Sequence, residues 1–185
     1  MSDEALHEIE LLTRRWVENI VIGLNLCPFA KGVYVKDQVK IHIASTQDVA
    51  DISQVLTQLL SELASVPAEQ IDTTLLVLPY AFDSFYEFND YLDVADQLLD
   101  ELNLVGEIQI ANFHPQYQFA GTQVDDMSNY TNRSPYPILH LIREQSIDRA
   151  VSQFPDAAVI FERNIAMMEE LGLDGWHKLL QTDAK

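Results

Sequence analysis

A chain of 185 residues, 48% hydrophobic and 22% charged, matches one ordinary globular unit, able to bury roughly 70% of its unfolded surface without a disulfide or a metal. Its 29 acidic and 11 basic residues give a net charge of −18, which argues against nucleic-acid partners and against an anionic membrane surface, because both need clustered Lys and Arg. The single cysteine, Cys27, excludes an intramolecular disulfide, the acidic start MSDEALHEIE lacks a signal-peptide pattern, and no apolar run approaches the ~20 residues of a membrane span, so a cytoplasmic location is expected.

The apolar residues Leu6, Ile9, Trp16, Val17, Ile20 and Leu24 recur at helical intervals and predict a first helix over about 3–22, ending near Gly23. Val39, Ile41 and Ile43 alternate with Lys40 and His42, the pattern of a strand with one wetter face. Thr46 is the expected cap of a second helix, whose stripe is Val49, Ile52, Leu56, Leu59, Leu60 and Leu63. Thr73 to Leu78 is a short continuous apolar run, as in a central strand covered on both faces. Ser84 and Glu87 have the spacing of a capping box opening a third helix through Leu92, Ala95, Leu98 and Leu102. Ile108 and Ile110 alternate with Glu107 and Gln109, an edge-like strand.

This alternation predicts an α/β fold, with a small, mostly parallel sheet of three or four strands flanked by helices and the whole of 1–185 as one domain. After the third strand the periodicity stops, and residues 114–133 carry neither helical nor strand pattern. So long an irregular stretch in a compact domain is often functional. Helices are expected again over about 135–153 and from around Asp156 or Glu162 to Leu171, with Ala157 to Phe161 as an alternative fourth strand.

No Lys or Arg occurs from Ile41 to Asn132. Arg133 ends that stretch inside the polar loop, beside Asn129 and Asn132. Ser134-Pro135-Tyr136-Pro137 reads as a helix start with Ser134 as N-cap, and on that helix His140 and Arg143, three apart, share a face. Helix amides with Asn129, Asn132, Arg133, Ser134 and Arg143 form an expected binding site for a small anion. The plainer alternative pairs the arginines with acidic residues, Arg133 with Asp125 or Asp126.

His114 follows the third strand, at the sheet edge where α/β folds hold ligands, and has the intrinsic pKa of a general acid or base; otherwise it is a loop histidine bonded to backbone carbonyls. Cys27, before Pro28, is either a small buried apolar residue or a nucleophile paired with His114 or His140. Metal-ligand spacings and nucleotide-binding glycine loops are absent, so no metal and no cofactor are expected.

Three blocks carry a resemblance: Gly23-Leu24-Asn25-Leu26-Cys27-Pro28-Phe29-Ala30; Phe113-His114-Pro115 with Tyr117 and Phe119; and Asn129 to Pro137 followed by Leu139-His140 and Arg143-Glu144, with Arg163-Asn164-Ile165 as a fourth, shorter one. On these the chain resembles an uncharacterised, mainly bacterial family known only as a domain of unknown function. The resemblance implies a bacterial cytosolic origin and no activity. From the residues themselves two functions are expected in competition. One is a small enzyme acting on an anionic metabolite, with Cys27, His114 and His140 as its catalytic groups. The other is a non-catalytic module binding a small anion or a protein carboxylate in the same pocket.

Overall fold

The computed structural model describes residues 2–153 and 157–182. Helix α1 (Asp3–Arg15) continues directly into a π-helix (Trp16–Ile22). A short helix α2 (Ala30–Tyr34) leads to β1 (Val39–Ile43); α3 (Val49–Ser65), β2 (Thr73–Val77), α4 (Phe85–Glu101) and β3 (Ile108–Phe113) follow. The loop after β3 contains one 3₁₀ turn (Met127–Thr131). Then come β4 (Ile138–Arg143), α5 (Glu144–Gln153) and α6 (Ala157–Gln181), which bends at Gly172.

The α/β class, the small sheet and its flanking helices agree with the sequence. The pairing differs from a mostly parallel sheet. The strand order is β1-β2-β4-β3, with β1 and β2 parallel and β4 antiparallel to both of its neighbours. The three strands expected from the sequence do run in one direction. The fourth slots between two of them, pointing the other way.

That fourth strand replaces the helix expected over 135–153. Ile138, Leu139, His140, Leu141 and Ile142 form a nearly continuous apolar run, which suits an inner strand with both faces covered. Pro135 and Pro137 hold the residues before them extended instead of opening a helix, so Ser134 is not an N-cap. Helix starts only at Glu144. On a strand, positions three apart face opposite sides, and His140 and Arg143 therefore do not share a face. Ala157 to Phe161 is helical, not a strand, and Asp156, one expected start of that helix, lies outside the described residues.

Two caps also differ. Asp48, not Thr46, caps α3, its Oδ1 accepting from the amides of Ala50 and Asp51 at 2.9 and 3.1 Å, while Thr46 Oγ1 accepts from the Asp48 amide. Ser84 stands at the N-cap of α4, but its side chain makes no capping bond, so the box with Glu87 is not formed.

Each face of the sheet has its own core. Leu76, Leu78, Leu139 and Leu141 pack with Ile52, Leu56, Leu60 and Leu63 of α3 and Phe88 and Ala95 of α4. Leu75, Val77 and Ile138 pack on the other face with Ile9, Trp16, Val17, Ile20, Met168 and Trp176. All five residues of β2 are buried, as its apolar run predicts.

The π-helix ends in a tight approach. A Cβ placed on Gly23 would stand 2.3 Å from the carbonyl oxygen of Asn19, far inside contact distance, and a backbone neighbour cannot rotate away. Gly23→Ala is therefore expected to destabilise the protein by about 1–3 kcal/mol, read as a lower midpoint in urea unfolding; an unchanged midpoint contradicts the close packing of this turn.

Candidate functional site

The polar loop between β3 and β4 spends its side chains on itself. Asn129 is fully buried; its Oδ1 accepts from the Phe119 amide at 3.0 Å and the Thr122 hydroxyl at 2.8 Å, and its Nδ2 donates to the Gln123 carbonyl at 2.7 Å. Arg133 is 9% exposed and donates to the carbonyls of Tyr117 and Val124 at 3.3 and 2.6 Å, with its guanidinium 4.1 Å from the centre of the Tyr130 ring. Its partners are carbonyls and a ring, not Asp125 or Asp126. Asn132 accepts the His114 amide on its carbonyl and the Thr131 hydroxyl on Oδ1. Ser134, also buried, donates to the Tyr136 carbonyl at 2.6 Å.

His114 is committed in the same way. Its Nδ1 accepts from the Gln116 amide at 3.0 Å, so Nε2 carries the proton and donates to the Phe82 carbonyl at 2.8 Å. Burial lowers its pKa, opposed by the bond to Phe82 and the charge of Asp83. Phe82 has φ of 60°, a conformation unfavourable for a bulky residue, and His114 fastens it. Arg143 lies at the far end of β4 from Arg133, donating to the Ile71 carbonyl at 2.9 Å and the Val66 carbonyl at 2.7 Å just after α3. The two arginines thus serve opposite ends of one strand and do not form a common anion site.

Cys27 and His140 do come together. They line one cavity of about 710 Å³ between the sheet and the π-helix. Its floor is Thr73 and Leu75 of β2, His140 and Ile142 of β4, and Ala111 and Phe113 of β3; His140 sits in register between Leu75 and Ala111. The small side chain of Ala111 leaves the space above that row open. Trp16, Val17 and Val21 of the π-helix form one wall, and the segment from Cys27 to Lys36 forms another.

The turn that presents Cys27 is fastened twice. The amide of Leu26 donates to the Val21 carbonyl at 2.9 Å and that of Cys27 to the same oxygen at 3.4 Å. From α6, Arg163 donates to the Asn25 carbonyl and Asn164 to the Leu26 carbonyl at 2.8 Å. Asn25 takes φ of 53° there, which asparagine tolerates better than most residues.

The remaining end of the cavity is polar. Asp72, 7% exposed, accepts from the Ser146 hydroxyl at 2.8 Å and from Arg149 at 3.4 Å. Lys36 is exposed at the rim and has no hydrogen bond or ion pair among the described residues. Sequence reasoning did not find Thr73, Asp72, Lys36, Ala111, Ser146 or Arg149. The one available signal was polarity out of place: Asp72-Thr73-Thr74 opens a strand that is otherwise wholly apolar.

His140 Nε2 lies 2.7 Å from the Thr73 hydroxyl. Burial drops its pKa from the ordinary 6.5 to about 4, so the ring is neutral at pH 7. Among the described residues, no group of three or more His, Cys, Asp or Glu side chains is placed to hold a metal ion; His114 and His140 are bound to separate partners.

A family model described as Protein of unknown function (DUF1415) matches residues 8–178. The chain belongs to this DUF1415 family. No curated protein and no solved structure matches it. The DUF1415 match spans every element that builds the cavity, from the π-helix to α5. Among the described residues no helix is long and apolar enough to cross a membrane.

Two measurements check this geometry. Arg133→Ala is expected to lower the unfolding free energy by about 2–3 kcal/mol, since it strands buried carbonyls, while sulfate stabilises wild type and variant equally; a sulfate effect lost only in the variant restores Arg133 as an anion ligand. His140 gives the second. Above pH 6.5 both folded and unfolded chains hold it neutral. As pH falls below that, the unfolded chain takes a proton that the folded chain refuses until about pH 4, so stability is lost across this window. Between pH 7 and pH 5 the wild type is expected to lose about 2 kcal/mol more than His140→Gln, and equal losses contradict the buried neutral imidazole.

Proposed function

We propose that this protein is a small enzyme acting on an anionic metabolite with an apolar body, bound in the cavity between the sheet and the π-helix. The observation that carries the reading is that Cys27 and His140, far apart in sequence, line the same cavity. Trp16, Val17, Val21, Leu75 and Phe113 supply apolar surface for the body of the ligand, as expected of a small-molecule site. Lys36, unpaired among the described residues, supplies positive charge at the polar end, where Arg149 is already held by Asp72 and Glu69 also lines the cavity, in a chain whose overall charge of −18 otherwise repels anions. Cys27 is the nucleophile of this reading, and His140, neutral in the same cavity, orients the ligand beside it.

A second reading, a non-catalytic binding module, is favoured by one feature. His140 is neutral at pH 7, and a neutral imidazole does not hold a thiolate as a charged partner would.

Alkylation of Cys27 by iodoacetamide separates the outcomes. In a thermal-shift screen of aryl and alkyl carboxylates, those that raise the melting temperature are expected to slow alkylation in proportion to occupancy. Ala111→Leu, which fills the floor beside His140, is expected to abolish both effects while the variant stays folded. A carboxylate that stabilises the protein without protecting Cys27, or that acts equally on Ala111→Leu, places the site elsewhere. Alkylation at pH 7 faster than that of free glutathione supports the enzyme; alkylation no faster supports the module.

A further inference from the structure

The Thr73 hydroxyl has one proton and two close neighbours. It stands 2.7 Å from the Leu141 carbonyl oxygen and 2.7 Å from His140 Nε2. A carbonyl can only accept, and two oxygens at that distance need a proton between them. The hydroxyl proton therefore belongs to Leu141, and the hydroxyl oxygen is left to accept. His140 must then donate from Nε2. In a neutral ring this leaves Nδ1 bare, with a lone pair, and among the described residues nothing hydrogen-bonds Nδ1.

We infer that Thr73 is a positioning residue that locks His140 in the Nε2–H form, so that Nδ1 is the hydrogen-bond acceptor in the floor of the cavity and selects a ligand that brings a donor, a hydroxyl or N–H, to that point. This rests on the cavity being the ligand site and narrows what it takes. A carboxylate or phosphate oxygen at the floor would face a lone pair and be repelled. An anionic ligand therefore enters with its charge at the Lys36 end and its donor group innermost. A desolvation argument points the same way: an apolar molecule that covers this acceptor without supplying a donor costs free energy, so a ligand that brings one is favoured over an apolar molecule of the same shape.

The tautomer is read directly from the two ring nitrogens of His140 by ¹⁵N NMR at pH 7, with the signals assigned by their loss in His140→Gln. The expected result is Nδ1 as an unprotonated, pyridine-type nitrogen and Nε2 as a protonated, pyrrole-type one. Thr73→Ser is expected to keep this pattern, and Thr73→Val to lose it in favour of a mixture of tautomers. Phenol, titrated in as a small donor probe, is expected to shift the Nδ1 resonance, and anisole, of similar shape without the O–H, to leave it in place. A protonated Nδ1 in the wild type overturns the inference without any variant. So does an unchanged tautomer in Thr73→Val, or phenol acting no differently from anisole. An inverted tautomer with Cys27 still protected by carboxylates defeats this inference alone. The expected tautomer with no protection of Cys27 defeats only the wider reading.

Discussion

β4 is hydrogen-bonded along both edges, to β2 on one side and β3 on the other, and so stands wholly inside the sheet. Every residue along it must satisfy one of two cores. Leu139 and Leu141 go to the helices α3 and α4, while Ile138 goes to the face covered by α1, the π-helix and α6. A polar residue on such a strand is costly unless it is bonded. His140 occupies that position, bonded to Thr73 and open to the cavity on its other nitrogen. The floor of the cavity, the neutral imidazole and the placing of β4 across that cavity from the Cys27 turn all follow from the insertion of this one strand between two others.

The strand was also the part of the fold least visible in the sequence. β1, β2 and β3, with the helices between them, are read correctly from alternation, from one apolar run and from helical stripes. The same apolar-run signal that identifies Thr73 to Val77 is present in Ile138 to Ile142. It is masked by the two prolines and the serine before it, which resemble a helix start, and by His140 and Arg143, whose spacing suits a helix face. Prolines constrain the residues before them toward extended geometry as readily as they open a helix, and here the tertiary pairing decides. The antiparallel insertion is not legible locally at all, since nothing within 138–143 specifies which two strands it joins.

The candidate site divides along similar lines. Cys27 and His140 were both legible as chemistry, and the fold brings them to one cavity. Asn129, Asn132, Arg133, Ser134 and His114 were legible as polar residues gathered in an irregular loop, which is how a binding loop reads. The structure shows another demand on such residues. A loop lacking helix or strand must satisfy its own buried amides and carbonyls, and the side chains of Asn129, Arg133, Ser134 and His114 do so, while Asn132 takes the Thr131 hydroxyl. Residue type alone does not separate a side chain that binds a ligand from one that binds the backbone. What separates them is whether a polar atom is left over, as on Lys36 and on Nδ1 of His140.

The π-helix has a consequence for how the chain tolerates change in length. Its bonds span five residues instead of four, so Trp16–Ile22 holds one residue more than an α-helix would need to make the same connection. That surplus sets the phase of Val21, whose carbonyl receives the amides of Leu26 and Cys27. Losing that surplus residue lets the segment close as an ordinary α-helix, whereas gaining another turns everything beyond it by about 100° around the helix axis, carrying the Cys27 turn away from the sheet while Trp16 stays on the Arg133 carbonyl it bonds at 2.9 Å. The turn around Val105 and Gly106, exposed and outside both cores, has no such phase to keep. Changes in length are thus admitted in either direction at that end of the molecule, while the seven-residue π-helix at the other can give up its surplus residue but not gain one, which makes it a one-sided ruler between the first helix and the cysteine.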